Sequence, residues 1–145
     1  MKVFESQIEI NAPIDVVWQH LTDFASYPEW NPYILSAEGE LKQDALVRFK
    51  VAGLPGTLSA PVVSLVENKQ LIWEARSPIP GVRPRYIRRL EEIDATRTRF
   101  INREEFTGWA VPLISPMLNL MSKPLFPKTC AALKQRVEEA VAQST

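Results

Sequence analysis

The sequence predicts an α+β fold with seven strands, two short helices between the first strand and the second, and a long helix at the C-terminal end. Three observations carry this. Apolar and polar residues alternate with period two at 3 to 10 and again in segments from about 33 to 107. A proline-started helical stripe lies between them at 13 to 23. After Gly108 the apolar spacing becomes helical and stays so to about residue 142.

In the first strand Phe4, Ile8 and Ile10 alternate with Glu5, Gln7 and Glu9, so one face is buried. Pro13 suits a first helical position because it needs no amide hydrogen there, and Asp15 complements the helix dipole. Ile14, Val17, Trp18 and Leu21 form the inward stripe of a helix running to about Asp23, while Asp15, Gln19 and Thr22 face water. Burying each large side chain of that stripe contributes about 1.5–3 kcal/mol. Phe24, Tyr27, Trp30 and Tyr33 follow among prolines at 28 and 32, which keep the second helix short.

Strands are then expected at about 33–41, 45–52, 57–67, 70–76, 85–93 and 97–107. Val47, Phe49 and Val51 oppose Arg48 and Lys50 in one of them. In another, Leu71, Trp73 and Ala75 alternate with Ile72, Glu74 and Arg76. GLPG at 53–56 and Asn68-Lys69 are turns, and SPIPGVRP at 77–84 is a loop before a hairpin. WAVPLISP at 109–116 is apolar and uncharged with two prolines, and reads as a partly covered loop. A helix from about 116 to 122 presents Met117, Leu118 and Met121; Pro124 and Pro127 interrupt it before a second piece from about 128 to 142. Cys130, Leu133, Val137 and Val141 form the seam of that piece, with Lys134, Gln135, Glu138 and Glu139 outside.

At 145 residues the chain is expected to be one domain, 1–145. Lysine plus arginine and aspartate plus glutamate both total 17, so no net field steers it towards nucleic acid. The opening MKVFESQIEI lacks the apolar run of a signal peptide, and a cytoplasmic protein without a transmembrane segment is expected. With one cysteine, Cys130, and one histidine, His20, the sequence offers no internal disulfide and no Cys/His cluster; neither metal nor cofactor is expected. The oligomeric state is left open.

The chemistry-bearing residues concentrate in the hairpin. Thr98, Phe100, Asn102, Glu104 and Phe106 should face inward, opposite Arg99, Ile101, Arg103 and Glu105. A three-residue turn at Asp94 to Thr96 pairs Leu90 with Phe100, Arg88 with Asn102 and Tyr86 with Glu104. Three readings of this cluster stand. Arg88 and Glu104 are structural partners, since a buried charge is costly unless paired; or they anchor the polar end of a ligand; or Glu104 transfers a proton with Tyr86 as donor, without a second carboxylate or histidine beside it.

Trp30, Phe49, Trp73, Phe100, Phe106, Trp109, Met117, Met121, Phe126 and Cys130 either line a cavity or fill a core. The loops with Leu54-Pro55, Ile79-Pro80 and Trp109 to Ile114 are placed to frame an entrance, to close over a ligand, or to touch a membrane or partner transiently; for the third, simple packing against the last helix is an equal alternative. His20 is a boundary residue, and Cys130 is a small buried apolar group in preference to a nucleophile. The arginines from Arg83 to Arg103, interleaved with Glu91, Glu92, Asp94, Glu104 and Glu105, make a solvated charged face.

The run Ala12-Pro13, Val17-Trp18, Leu21, Asp23, Tyr27, Trp30 and Pro32 resembles the opening of the polyketide cyclase/dehydrase branch of the START-like (SRPBCC) superfamily. Leu71-x-Trp73, the segments Thr98-Arg99-Phe100 and Glu104-Glu105-Phe106-x-Gly108, and Ala132-Leu133-Lys134 with Arg136-Val137-Glu138 resemble its later strands and last helix. The resemblance spans essentially the whole chain and implies a helix-grip fold, a curved antiparallel seven-stranded sheet wrapped round the C-terminal helix with a cavity between them. It implies binding of lipids, polyketides, quinones or other apolar molecules. Many members carry histidines in the sixth and seventh strands; here Tyr86 and Asn102 stand there, which removes the obvious general base. The expected function is binding, and potentially transport, of a small hydrophobic molecule. The alternatives are a cyclase or dehydratase using Glu104 and Tyr86 as acid and base, and an interaction protein of the co-chaperone type.

Overall fold

The computed structural model describes residues 1–32, 34–40, 42–51, 56–75 and 79–144. Its strands are β1 (Lys2–Ile10), β2 (Ile34–Glu38), β3 (Leu46–Val51), β4 (Leu58–Val66), β5 (Gln70–Glu74), β6 (Arg83–Asp94) and β7 (Arg97–Thr107). The helices are α1 (Ile14–Thr22), α2 (Tyr27–Trp30), α3 (Val111–Met121) and α4 (Leu125–Gln143), with a single 3-10 turn at Phe24–Ser26. One antiparallel sheet has the order β1-β7-β6-β5-β4-β3-β2. The chain thus leaves one edge of the sheet after β1 and re-enters at the opposite edge with β2. The helical segment between must cross the full width of the sheet, and it does so over the apolar face, where α1 touches β6, β7 and α4 and α2 touches β2 and α4. Register shifts at Ile34/Ser36, Val62/Ser64 and Glu92/Asp94 strengthen the local twist and curl the sheet.

Val17, Trp18 and Leu21 are buried as their spacing predicts. The Tyr27 hydroxyl donates to the Leu21 carbonyl, which ties α2 to α1, and burial pushes that phenol's pKa up. α4 buries Phe126, Thr129, Cys130, Leu133 and Val137 and lies mainly along β1. Polar contacts fix its position: Lys134 Nζ donates to the Glu9 carbonyl at 2.8 Å, Asn11 Nδ2 donates to Glu138 Oε1 at 2.9 Å, and Lys134 reaches Glu138 Oε2 at 2.7 Å.

Three expectations need correction. α3 begins at Val111, so most of the segment expected to be a loop is helix: Pro112 sits in the first turn, where its missing amide has no intrahelical partner to lose. α4 likewise begins at Leu125, with Pro127 in its first turn, and the interruption is confined to Ser122–Pro124. The alternation expected in β5 does not carry over into burial, since Ile72 is buried like Leu71 and Trp73, beside its cross-strand neighbour Ile87. Tyr33, Leu54-Pro55 and Arg76 to Pro78, parts of the expected second strand, entrance loops and fifth strand, lie outside the described residues.

Gly81 and Gly108 hold the loop before β6 against the start of α3. Both have positive φ, 79° and 119°, and a Cβ on Gly108 would meet the Gly81 carbonyl oxygen at 2.1 Å. Gly108→Ala combines a left-handed backbone cost with overpacking, and is expected to lower stability by about 3 kcal/mol in urea unfolding.

The clamp on α4 is pH-dependent. Burial pushes the Glu138 carboxyl up, but hydrogen bonds from Lys134 and Asn11 outweigh this and hold its pKa below the ordinary value of 4.5. A depressed folded-state pKa means stability that is present above the ordinary carboxylate range and lost as pH falls through the folded value. Glu138→Gln should therefore be less stable than the parent by about 0.5 kcal/mol at neutral pH, with the difference in melting temperature closing on acidification.

Candidate functional site

The pairing of β6 with β7 places the hairpin residues as their alternation predicts. Tyr86 pairs with Glu104, Arg88 with Asn102 and Leu90 with Phe100. The register follows from an altered turn: Asp94 pairs with Arg97 across two residues, and a bulge between Glu92 and Asp94 supplies the extra residue of the expected three-residue turn. Asp94 secures it by accepting from the Thr96 amide at 2.9 Å and from Arg97 Nε at 2.8 Å. Thr98, Phe100, Asn102, Glu104 and Phe106 are buried. On the outer face Arg99 meets Glu91 at 3.0 Å and Arg103 meets Glu105 at 2.9 Å, so these arginines of the hairpin surface are charge-paired.

Across strands the inner face forms rows. One runs Val62, Trp73, Tyr86, Glu104, Phe4; the next runs Leu71, Arg88, Asn102, Ser6. Arg88, Asn102 and Glu104 are 3%, 2% and 0% exposed, three polar side chains inside an aromatic core. Among the described residues no ion pair joins Arg88 to Glu104. The guanidinium lies instead 5.8 Å from the ring centroids of both Trp73 and Tyr86, a cation–π arrangement, and Nη1 donates to the Ile87 carbonyl at 3.3 Å. Phe49 meets Trp73 edge-on at 5.2 Å and Phe24 lies 5.8 Å from the same indole. Among the described residues, Trp73 Nε1 and Asn102 Oδ1 are buried without a hydrogen-bond partner. The cluster therefore offers a cation, an indole donor, an amide acceptor, a phenol and a carboxyl group within two adjacent rows.

The structure sorts the remaining candidates into three places. Phe49, Trp73, Phe100 and Cys130 belong to the main core, with Trp30 half-buried against it. Phe106 and Phe126 pack around Phe4 in a second cluster, at centroid distances of 5.9 and 5.6 Å. Trp109, Met117 and Met121 are exposed around α3 and do not join the buried rows. Sequence reasoning passed over Ser6 and Phe24. Ser6 had a signal, being the one polar residue among the inward positions Phe4, Ser6, Ile8 and Ile10. His20 is partly buried, and burial, then the nearby Arg136, lower its pKa against the opposing effect of Asp23.

Cys130 faces the same region from α4. Burial pushes its thiol pKa up, outweighing the hydrogen bond with Ser6 and the positive charge of Arg88. The thiol should thus be inert at neutral pH, with Ellman's reagent labelling Cys130 only after the protein is unfolded in denaturant.

The chain superposes on the Zhui aromatase/cyclase from Streptomyces sp. R1128 with a TM-score of 0.81 at 22% identity, covering 97% of this chain and 95% of that one. A START superfamily protein from Mycobacterium smegmatis gives 0.76 at 19% identity, over 95% and 98%. The di-domain ARO/CYC BexL of the BE-7585A biosynthetic pathway gives 0.73 at 18% identity, over 95% of this chain and 47% of that one. At such identities these are likenesses of fold. No curated protein matches the sequence. The family model described as polyketide cyclase / dehydrase and lipid transport matches residues 1–138. With the START-like, helix-grip arrangement of the sheet and α4 beside that match, the chain belongs to the polyketide cyclase / dehydrase and lipid transport family.

Proposed function

We propose that this protein binds, and carries through the cytoplasm, a small and mostly apolar molecule whose polar end meets Arg88, Asn102 and Glu104. One observation carries the reading: three strongly polar side chains are buried side by side on the inner face of the sheet, among aromatic residues. Burying such groups opposes folding, and apolar replacements of similar shape are often neutral or stabilising, so stability alone does not account for them. Trp73 Nε1 and Asn102 Oδ1 add a donor and an acceptor that a ligand would satisfy.

The chemistry narrows the ligand. Arg88 and the indole N–H favour a carbonyl or other acceptor oxygen, Asn102 Oδ1 favours a hydroxyl donor, and Phe49, Leu71 and Phe100 favour a ring or chain. Quinones, polyketides and lipids with an oxygenated end all have these features. The family's own description supports an apolar ligand, and so does the likeness to aromatase/cyclase folds. A second reading, a cyclase or dehydratase, is favoured by the direct cross-strand pairing of Tyr86 with Glu104, a phenol and a carboxyl group adjacent in one row. Binding ranks first because neither strand carries a histidine to act as base.

Native mass spectrometry of freshly purified protein, with extraction of what is bound, tests the proposal. A co-purifying molecule of this class is expected, as is a rise in melting temperature with at least one member of a lipid, quinone and polyketide panel; empty protein with no shift across the panel overturns it. A ligand at about a hundred times its Kd adds about 2.7 kcal/mol of stability. Arg88→Met should weaken such binding by about tenfold or more while leaving the empty protein as stable as the parent or more so. Turnover that is lost in Glu104→Gln but kept in Arg99→Gln would establish the enzyme instead.

A further inference from the structure

α3 is apolar on both sides. Val111, Ile114 and Leu118 pack with Phe4, Val82, Phe106 and Phe126 in the second cluster. On the other side Leu113, Met117 and Leu120 recur at i, i+4 and i+7, a single stripe, with Trp109 in the turn just before the helix, and Trp109, Leu113 and Leu120 are 74%, 74% and 80% exposed. A surface helix of a globular protein ordinarily carries charge there. From Thr107 to Ser122 this chain has none.

The charges that bracket the stripe are basic. Exposed Lys123 follows α3 in the short turn and exposed Lys128 lies in the first turn of α4, while exposed Arg83 pairs with Thr107 just before α3. No aspartate or glutamate occurs from 106 to 137. Of the acidic residues flanking this region, Glu105 is occupied by Arg103 at 2.9 Å, Glu5, beside Lys123 in a shared groove, by Arg103 at 3.5 Å, and Glu74 by Arg85 at 3.8 Å. Among the described residues neither Lys123 nor Lys128 is in an ion pair.

We propose that α3 docks the protein on an anionic bilayer, with Trp109, Leu113, Met117 and Leu120 inserted at the headgroup–acyl boundary and Lys123, Lys128 and Arg83 over the headgroups. An uncharged apolar stripe with a tryptophan and flanking cations has the composition of an interfacial helix. No described helix is long and apolar enough to cross a membrane, which leaves the interface as its depth. Pro116 agrees with that depth, because it removes the amide that would bond the Pro112 carbonyl and leaves that carbonyl in need of water. A second copy is the poorer occupant: a two-fold contact through α3 would set one basic rim against the other. The proposal stands apart from the ligand reading, since none of these residues lies in the buried rows.

Flotation with vesicles of phosphatidylcholine alone, and with about a third phosphatidylserine, tests it. The protein is expected to float with the anionic vesicles and to be released by salt. Leu113→Glu with Leu120→Glu, both at exposed positions and checked by circular dichroism and melting temperature, should lower binding by about tenfold or more. Lys123→Gln with Lys128→Gln should lower it by about fivefold per charge on anionic vesicles only. Leu35→Glu, exposed on β2, should leave flotation unchanged. Absence of flotation, or flotation indifferent to the leucine substitutions, overturns the proposal. So does a concentration-dependent dimer in sedimentation velocity that those substitutions dissolve, which would assign the face to a second copy.

Discussion

The register between β6 and β7 is the constraint on which the inner face depends. Side chains alternate sides along a strand, so a slip of one residue would exchange Tyr86, Arg88, Asn102 and Glu104 for Arg85, Ile87, Arg89, Ile101, Arg103 and Glu105. Two devices hold it. The Asp94 carboxylate organises the turn through Thr96 and Arg97, and the bulge at Glu92/Asp94 absorbs the odd residue. Arg97 Nη1 also reaches Glu9 at 2.8 Å, so the turn that sets the hairpin is fastened to β1 as well. The outer ion pairs are exposed and contribute little stability each, but a slipped register would bring those charges inside.

Much of this was legible because polarity and periodicity coincide in β7. Arg99, Arg103 and Glu105 on one side against Phe100 and Phe106 on the other leave little doubt about which face is buried, and Asn102 and Glu104 follow by parity. The pairing was legible even though the turn was described differently, because a two-residue turn plus one bulged residue and a three-residue turn give the same partners beyond the bulge. α3 was less legible. Its prolines at 112 and 116 argue against helix by propensity, and only tertiary packing of Val111, Ile114 and Leu118 reverses that. Burial of Ile72 on the convex side was likewise invisible, since alternation assigns a side of the sheet and says nothing of how neighbouring side chains cover it.

Sequence parity also could not say what Arg88 does. A buried arginine and a buried glutamate on neighbouring strands suggest an ion pair by type, yet the guanidinium lies over Trp73 and Tyr86. That difference matters chemically. Aromatic faces stabilise a cation without neutralising it, so Arg88 keeps its charge within a region of low dielectric, where its attraction for an oxygen acceptor is stronger than in water. An arginine engaged by a carboxylate would have little of that field left to offer.

The buried rows meet the inner side of α3 at Phe4, which ends the row of Tyr86 and Glu104 and packs in the second cluster with Val111 and Leu118. The loop before β6 contacts α3 backbone to backbone, with the Ala110 amide donating to the Gly81 carbonyl at 3.1 Å, while Val82 packs in the cluster beneath α3. Tyr86 and Arg88 lie a few residues further along the same strand. Gly81 and Gly108 make the contact of the loop with α3 close: both have positive φ, and a Cβ on Gly108 would meet the Gly81 carbonyl.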